Sequence, residues 1–162
     1  MHLLLILQIL LLMTVANGTP IVAKKIFGPR FARPLDAGSI FFDGQPLFGS
    51  SKTIRGILAS ILVTTGIAPL IGLDLTTGAI VSAAAMAGDL LSSFAKRRLN
   101  LSPSSQALGL DHVPESLFPM LACRQTLSLT IVDIALGVGL FFIGGLILSR
   151  LLFHAHLREE PY

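Results

Sequence analysis

Apolar residues run in long blocks along this chain, separated by polar stretches that carry nearly all of its charge. The first block, residues 3–16, is short for a spanning helix, which needs about 17–25 residues, but Met1, His2, Asn17 and Gly18 extend it through the interface. Residues 54–73 form the second block, with Pro69 kinking its far end. Asp74 marks a very short turn before the third block, residues 75–91. Small residues within it, Ser82-Ala83-Ala84-Ala85 with Ala87 and Gly88, permit close helix packing. A marginal stretch, 113–122, is interrupted by Pro114 and Pro119, and 127–153 is the last and longest block. The pattern predicts an all-α membrane protein of about five transmembrane helices, at roughly 1–18, 54–73, 75–94, 113–124 and 127–153, in a single domain covering 1–162.

The stretch around residue 118 decides the topology. If it crosses, both basic loops, 19–53 and 95–112, and the tail bearing Arg150 and Arg158 share one side, leaving only Arg124 opposite. The positive-inside rule then prefers five spans, an outside N-terminus and cytoplasmic loops in a multi-pass protein of the cell membrane. A cleaved signal peptide is disfavoured: the n-region lacks Lys and Arg, and the small-residue site would have to fall among Ala16, Asn17 and Gly18. An uncleaved first helix is expected.

The first loop is too long for a tight turn. Residues 18–53 hold four Pro, five Gly and several apolar residues, among them Phe27, Phe31, Ile40, Phe41, Phe42, Leu47 and Phe48, which argue for a folded or interface-lying segment. Composition agrees with a bilayer setting, since 52% of the 162 residues are hydrophobic and 13% charged. The net charge of +3 is modest but grouped: Lys24, Lys25, Arg30, Arg33, Lys52 and Arg55 in one segment, Lys96-Arg97-Arg98 in another. Both groups suit anionic phosphates. Nucleic acid is not expected as a partner, because the basic residues are not interleaved with stacking aromatics. Cys123 stands alone, so no internal disulfide forms, and an apolar, satisfied thiol is expected.

Chemistry concentrates at the end of the third block. An ionised carboxylate within a membrane segment costs about 2.5–3.5 kcal/mol on insertion scales, so Asp89 must be paired, cation-bound or lining a wet cavity. On a helix, Asp89, Ser92, Ser93 and Lys96 fall at i, i+3, i+4 and i+7 and share one stripe. A stop-transfer anchor explains the basic cluster by itself, but the carboxylate lies deeper than an anchor requires. The carboxylate suits Mg²⁺, which takes oxygen ligands and binds through one or two carboxylates plus substrate phosphates; Asp111 could supply the second. In the first loop, Gly49-Ser50-Ser51-Lys52-Thr53 fails the Walker pattern, because two serines separate the glycine from the lysine. What remains is a hydroxyl-rich segment with Lys52 and Arg55 opening a helix, where phosphate oxygens gain backbone N–H donors.

Together, Ala16-Asn17-Gly18-Thr19-Pro20, Arg33-Pro34-Leu35-Asp36, Asp43-Gly44-Gln45-Pro46-Leu47-Phe48-Gly49, Ser51-Lys52-Thr53-Ile54-Arg55-Gly56 and Gly88-Asp89 through Lys96-Arg97-Arg98 resemble the CDP-archaeol synthase family, a branch of the integral-membrane cytidylyltransferases that includes phosphatidate cytidylyltransferases. The ending Arg158-Glu159-Glu160-Pro161-Tyr162 also looks like that family's C-terminus. The likeness implies transfer of CMP from CTP to a lipid phosphate, archaeol-type or phosphatidate, with release of pyrophosphate. It implies Asp89 and Asp111 as Mg²⁺ ligands, Lys52 and Lys96 as catalytic cations, and Ser51, Lys52, Arg55, Ser92, Lys96 and Arg97 as nucleotide-phosphate contacts. One departure stands out. Where the family tends to carry Leu-Asp-Gln followed by a second Asp, this chain reads Leu110-Asp111-His112-Val113-Pro114-Glu115, so either Glu115 replaces that acid or the acceptor-lipid side differs.

Two other classes are compatible with parts of this pattern: a non-enzymatic membrane protein that binds anionic headgroups, and a small transporter with Asp89 and Asp133 on an ion path. Five spans give no obvious inverted halves for the latter. Asp133 has Arg124 as a candidate partner.

Overall fold

The computed structural model describes residues 2–101, 107 and 109–154. The ending at 158–162 and the middle of the second polar loop, 102–106, lie outside the described residues. Five α-helices follow in order: α1 (Leu3–Phe27), α2 (Ile54–Ile67), α3 (Leu75–Arg98), α4 (His112–Ala122) and α5 (Ile131–His154). A 3-10 turn, Ala68–Ile71, with Pro69 in its first turn, finishes α2 where the kink was expected. No strand occurs among the described residues, only isolated bridges pairing Pro34 with Thr53 and Ile40 with Pro46. Helix α1, α2 with its 3-10 turn, and α3 are each long and apolar enough to cross a membrane, and Ile131–Ile147 is a shorter apolar helix. At 1.5 Å per residue, α4 rises only about 16 Å, roughly half a hydrocarbon core.

Helix α1 continues past the expected boundary at residue 18, through Pro20, to Phe27. Proline at 20 removes the hydrogen bond to the carbonyl four residues back, that of Ala16. Ser60 of α2 restores it, its buried Oγ donating to the Ala16 oxygen at 2.8 Å. A backbone group that would otherwise be orphaned in the bilayer is thereby satisfied. Side-chain caps start the next two long helices: Thr53 accepts from the Gly56 N–H and Asp74 from that of Thr77.

The helices sort the chain into two ends. At one, Asp133 in the first turn of α5 accepts from the His2 backbone N–H at 2.9 Å, from Thr130 N and Oγ1 at 3.0 and 2.8 Å, and meets the His2 ring at 3.1 Å. These partners replace the expected Arg124, whose side chain is exposed. Near the same end, Ile6, Ile9, Leu12, Leu73, Val81, Met120, Cys123 and Leu129 form the main buried cluster, and the lone cysteine is the apolar, buried thiol its sequence suggested. The other end gathers the C-terminus of α1, the start of α2, the end of α3 and the start of α4. Asp133 and Asp89 therefore sit at opposite ends of the bundle.

Candidate active site

The first polar loop, residues 28–53, is a folded cap organised by Asp36. Its Oδ1 accepts from Gly38 N, and its Oδ2 from Phe48 N and Gly49 N, all at 3.0 Å. Backbone bonds from Leu35 N to the Lys52 oxygen and from Ile54 N to the Arg33 oxygen then bracket Lys52 from both sides. Gly49 makes the turn before it at φ 91°, a left-handed conformation that a side chain would strain. Burial alone would push the Asp36 pKa up, but the Phe48, Gly38 and Gly49 donors outweigh it and hold the carboxyl below its ordinary value. With a depressed folded-state pKa, this carboxylate stabilises the cap above the unfolded value of about 3.9, and that contribution is lost as pH falls through the folded value. Asp36→Ala should loosen the cap at neutral pH by about 1–3 kcal/mol and remove this acid transition, which proteolysis at 28–53 across a pH series would register.

Arg98 clamps the cap to α3. Its guanidinium lies 4.7 Å from the ring centroids of both Phe41 and Phe94, contacts Asp43 through Nε at 2.6 Å and donates to the Pro46 oxygen at 2.8 Å. The third member of the basic cluster is thus a structural fastener. Arg55, expected to contact nucleotide phosphate, lines the site cavity and also donates to the backbone oxygens of Gly28 and Arg30, tying the end of α1 to α2.

Lys52 Nζ reaches both carboxylate oxygens of Asp89 at 2.5 Å, and Lys96 Nζ meets Asp111 Oδ1 at 2.7 Å. Four predicted residues from three segments therefore form two ion pairs. Helix α4 lies close enough to add Glu115, which is within hydrogen-bonding reach of Asp89 and near Asp111. That approach depends on Gly88: a Cβ there would lie 2.3 Å from the Pro114 oxygen and 2.8 Å from the Glu115 nitrogen.

A cavity of about 820 Å³ opens over these groups, lined by Ser51, Lys52, Asp89, Lys96, Arg97, Asp111 and Glu115 on its charged side. Ser92 is not on that wall. Its side chain is fully buried and its Oγ donates to the Asp89 carbonyl at 2.9 Å, while Ser93 faces the cavity. Lysines opposite carboxylates suit a ligand that brings phosphate to the former and a cation to the latter.

A family model described as CarS-like, CDP-archaeol synthase, matches residues 2–148. The chain belongs to the CDP-archaeol synthase family. A CDP-archaeol synthase of Pyrococcus furiosus is 36% identical over 106 residues, 59% of this chain, and the match spans only 60% of that relative's length. The Sulfurisphaera tokodaii relative is 30% identical over 154 residues, covering 91% of this chain and 89% of its own. Among solved structures, an intramembrane enzyme for archaeal membrane lipid biosynthesis superposes with a TM-score of 0.75 at 27% identity, covering 88% of this chain and 90% of that one. CDP-archaeol synthases are CTP-using cytidylyltransferases.

In this member of the family, Glu115 reaches the site because the Gly88 contact with Pro114 turns one face of α4 toward Asp89, and Ser93 reaches it through the rotation of α3. No three side chains among Asp, Glu, His and Cys converge as a ready-made metal cluster among the described residues. Asp89, Asp111 and Glu115 still fit Mg²⁺: they are hard oxygen donors on one wall, and Mg²⁺ normally completes its shell with water and substrate phosphate.

Proposed function

We propose that this CDP-archaeol synthase family member transfers CMP from CTP to a membrane lipid phosphate, yielding a CDP-activated lipid and pyrophosphate. The observation that carries the reading is the pair of lysine–carboxylate contacts, Lys52 with Asp89 and Lys96 with Asp111, on one cavity at one end of apolar helices. A water-soluble nucleotide and a lipid headgroup can meet there. The grouping of basic residues in the loops at this end supports a cytoplasmic position for it under the positive-inside rule. Because the relatives are named CDP-archaeol synthases, an ether-linked, archaeol-type phosphate is the first acceptor to consider, with phosphatidate second.

The attacking group is an oxygen of the lipid phosphate, largely ionised at neutral pH because its second pKa lies near 6. It forms a new bond to the α-phosphorus of CTP as the bond to the bridging oxygen breaks, and that oxygen leaves with pyrophosphate. No strong general base is required. Lys52, Lys96 and Arg97 offset charge growing toward the leaving group, and Ser51 hydrogen-bonds the phosphates. Asp89 and Asp111, with Glu115, would hold Mg²⁺, which supplies charge neutralisation across the triphosphate when bound. Binding of the triphosphate draws Lys52 and Lys96 from their carboxylate partners, so the resting ion pairs keep both sets of groups in place until substrate arrives.

Chelation tests the metal part. EDTA should bring CDP-lipid formation to background, with recovery on adding Mg²⁺; full turnover in EDTA would remove the metal from this reading while leaving the transfer itself intact.

A further inference from the structure

One side chain on the cavity wall has no task in that chemistry. Both Oδ1 and Nδ2 of Asn17 are buried with no hydrogen-bond partner among the described residues. Buried polar groups normally find partners, so an amide left without one on a cavity wall points to a ligand. Asn17 belongs to a stripe at i, i+3, i+4 and i+7: Asn17, Pro20, Ile21 and Lys24 all line the cavity along α1. Ile21 is at the same time 62% exposed on the apolar flank of α1, so this side of the cavity is open toward the bilayer.

Depth separates this stripe from the charged wall. Ala16 packs in a buried cluster with Ala85 and Met86, and α1 and α3 rise in the same direction toward the site. Asn17 is thus level with Met86, nearly one helical turn, about 5 Å, deeper than Asp89. Apolar Ile57 and Met86 share that deeper part of the cavity. A lipid phosphate whose headgroup lies at Asp89 and the lysines has its glycerol-linkage oxygens at this depth and its chains running out past Ile21. Ether and ester oxygens accept hydrogen bonds, and a carboxamide N–H donates them without adding charge to an apolar site.

We propose that the α1 stripe of Asn17, Pro20, Ile21 and Lys24 is the acceptor-lipid subsite, with the Asn17 carboxamide donating to a glycerol-linkage oxygen of the lipid phosphate. The assignment rests on the transfer reaction proposed above and names where its second substrate lies.

Steady-state kinetics of wild type and Asn17→Ala in mixed micelles, varying a diether lipid phosphate and CTP separately, decide it. The KM for the lipid should rise about three- to tenfold, the loss of one neutral hydrogen bond, with the KM for CTP unchanged. The thermal midpoint without substrates should hold or rise, because the amide has no protein partner to lose. Asn17→Leu, similar in volume and without polar atoms, gives the same comparison should the alanine variant not fold. A rise in the KM for CTP instead would place Asn17 on the nucleotide and overturn the assignment, as would two unchanged constants. If wild type turns over no acceptor, the transfer reaction itself fails. Equilibrium binding of the labelled diether phosphate then still decides the subsite: weaker binding by the variant supports it, and equal binding overturns it.

Discussion

Asp89→Asn should lower CDP-lipid formation by about 10²–10³-fold while the helical fold and the thermal midpoint stay close to wild type. Asparagine keeps the shape of the side chain and removes its charge, so Lys52 loses the anionic partner it holds at 2.5 Å and the cavity loses the carboxylate proposed to hold Mg²⁺. Losses of this size are typical when one preorganised electrostatic contact to a transition state is removed. Both side chains of the pair are about one-fifth exposed, so solvent screens the pair and its contribution to folding is small. Turnover in detergent, with circular dichroism of the same sample, reads the two effects separately. A headgroup-binding protein without catalysis would show almost no response to this substitution. Neutralising Lys96, Arg97 and Arg98 together is a poorer discriminator, because Arg98 clamps the first loop and Lys96 holds Asp111.

Gly88→Ala should damage fold and activity together. Its added methyl would stand 2.3 Å from the Pro114 oxygen, 2.5 Å from the carbonyl carbon and 2.8 Å from the Glu115 nitrogen. These are backbone atoms, so no rotamer change relieves the clash, and α4 must shift away from α3. Overpacking of this kind costs about 1–3 kcal/mol, and the shift carries Asp111 and Glu115 away from Asp89. A lowered thermal midpoint and a turnover loss of at least tenfold, about 1.4 kcal/mol of transition-state stabilisation, are expected. Wild-type values for both would show that the α3–α4 contact does not position the site.

Much of the bundle is legible in the sequence because the bilayer forces long apolar blocks, and the small residues of the third block mark it as a packing helix. Helix α1 outruns its apolar block because the carbonyl freed by Pro20 is satisfied by Ser60, forty-odd residues away and invisible to a local pattern. The approach of Lys52 to Asp89 could be suspected from charge in an apolar setting, but the pairing of Lys96 with Asp111 depends on where α4 starts, which no spacing reveals. The arginines owe their places to long-range contacts. Arg55 and Arg98 look like phosphate ligands in sequence, yet each is held by carbonyls and rings of the first loop, contacts fixed only once that loop folds around Asp36. Likewise Ser92 and Ser93 are adjacent and chemically identical, and only the rotation of α3 turns Ser93 toward the cavity. Asp133 shares its residue type with Asp89 but caps a helix at the opposite end, which leaves the ion-path reading without a continuous set of carboxylates.

Transfer is read by following the label from α-³²P CTP, incubated with the purified protein, Mg²⁺ and an archaeol-type lipid phosphate in mixed micelles. Label should pass into a lipid-soluble CDP-diether with one pyrophosphate released per transfer. Label remaining in water-soluble nucleotide with every lipid phosphate supplied, including phosphatidate, would contradict it.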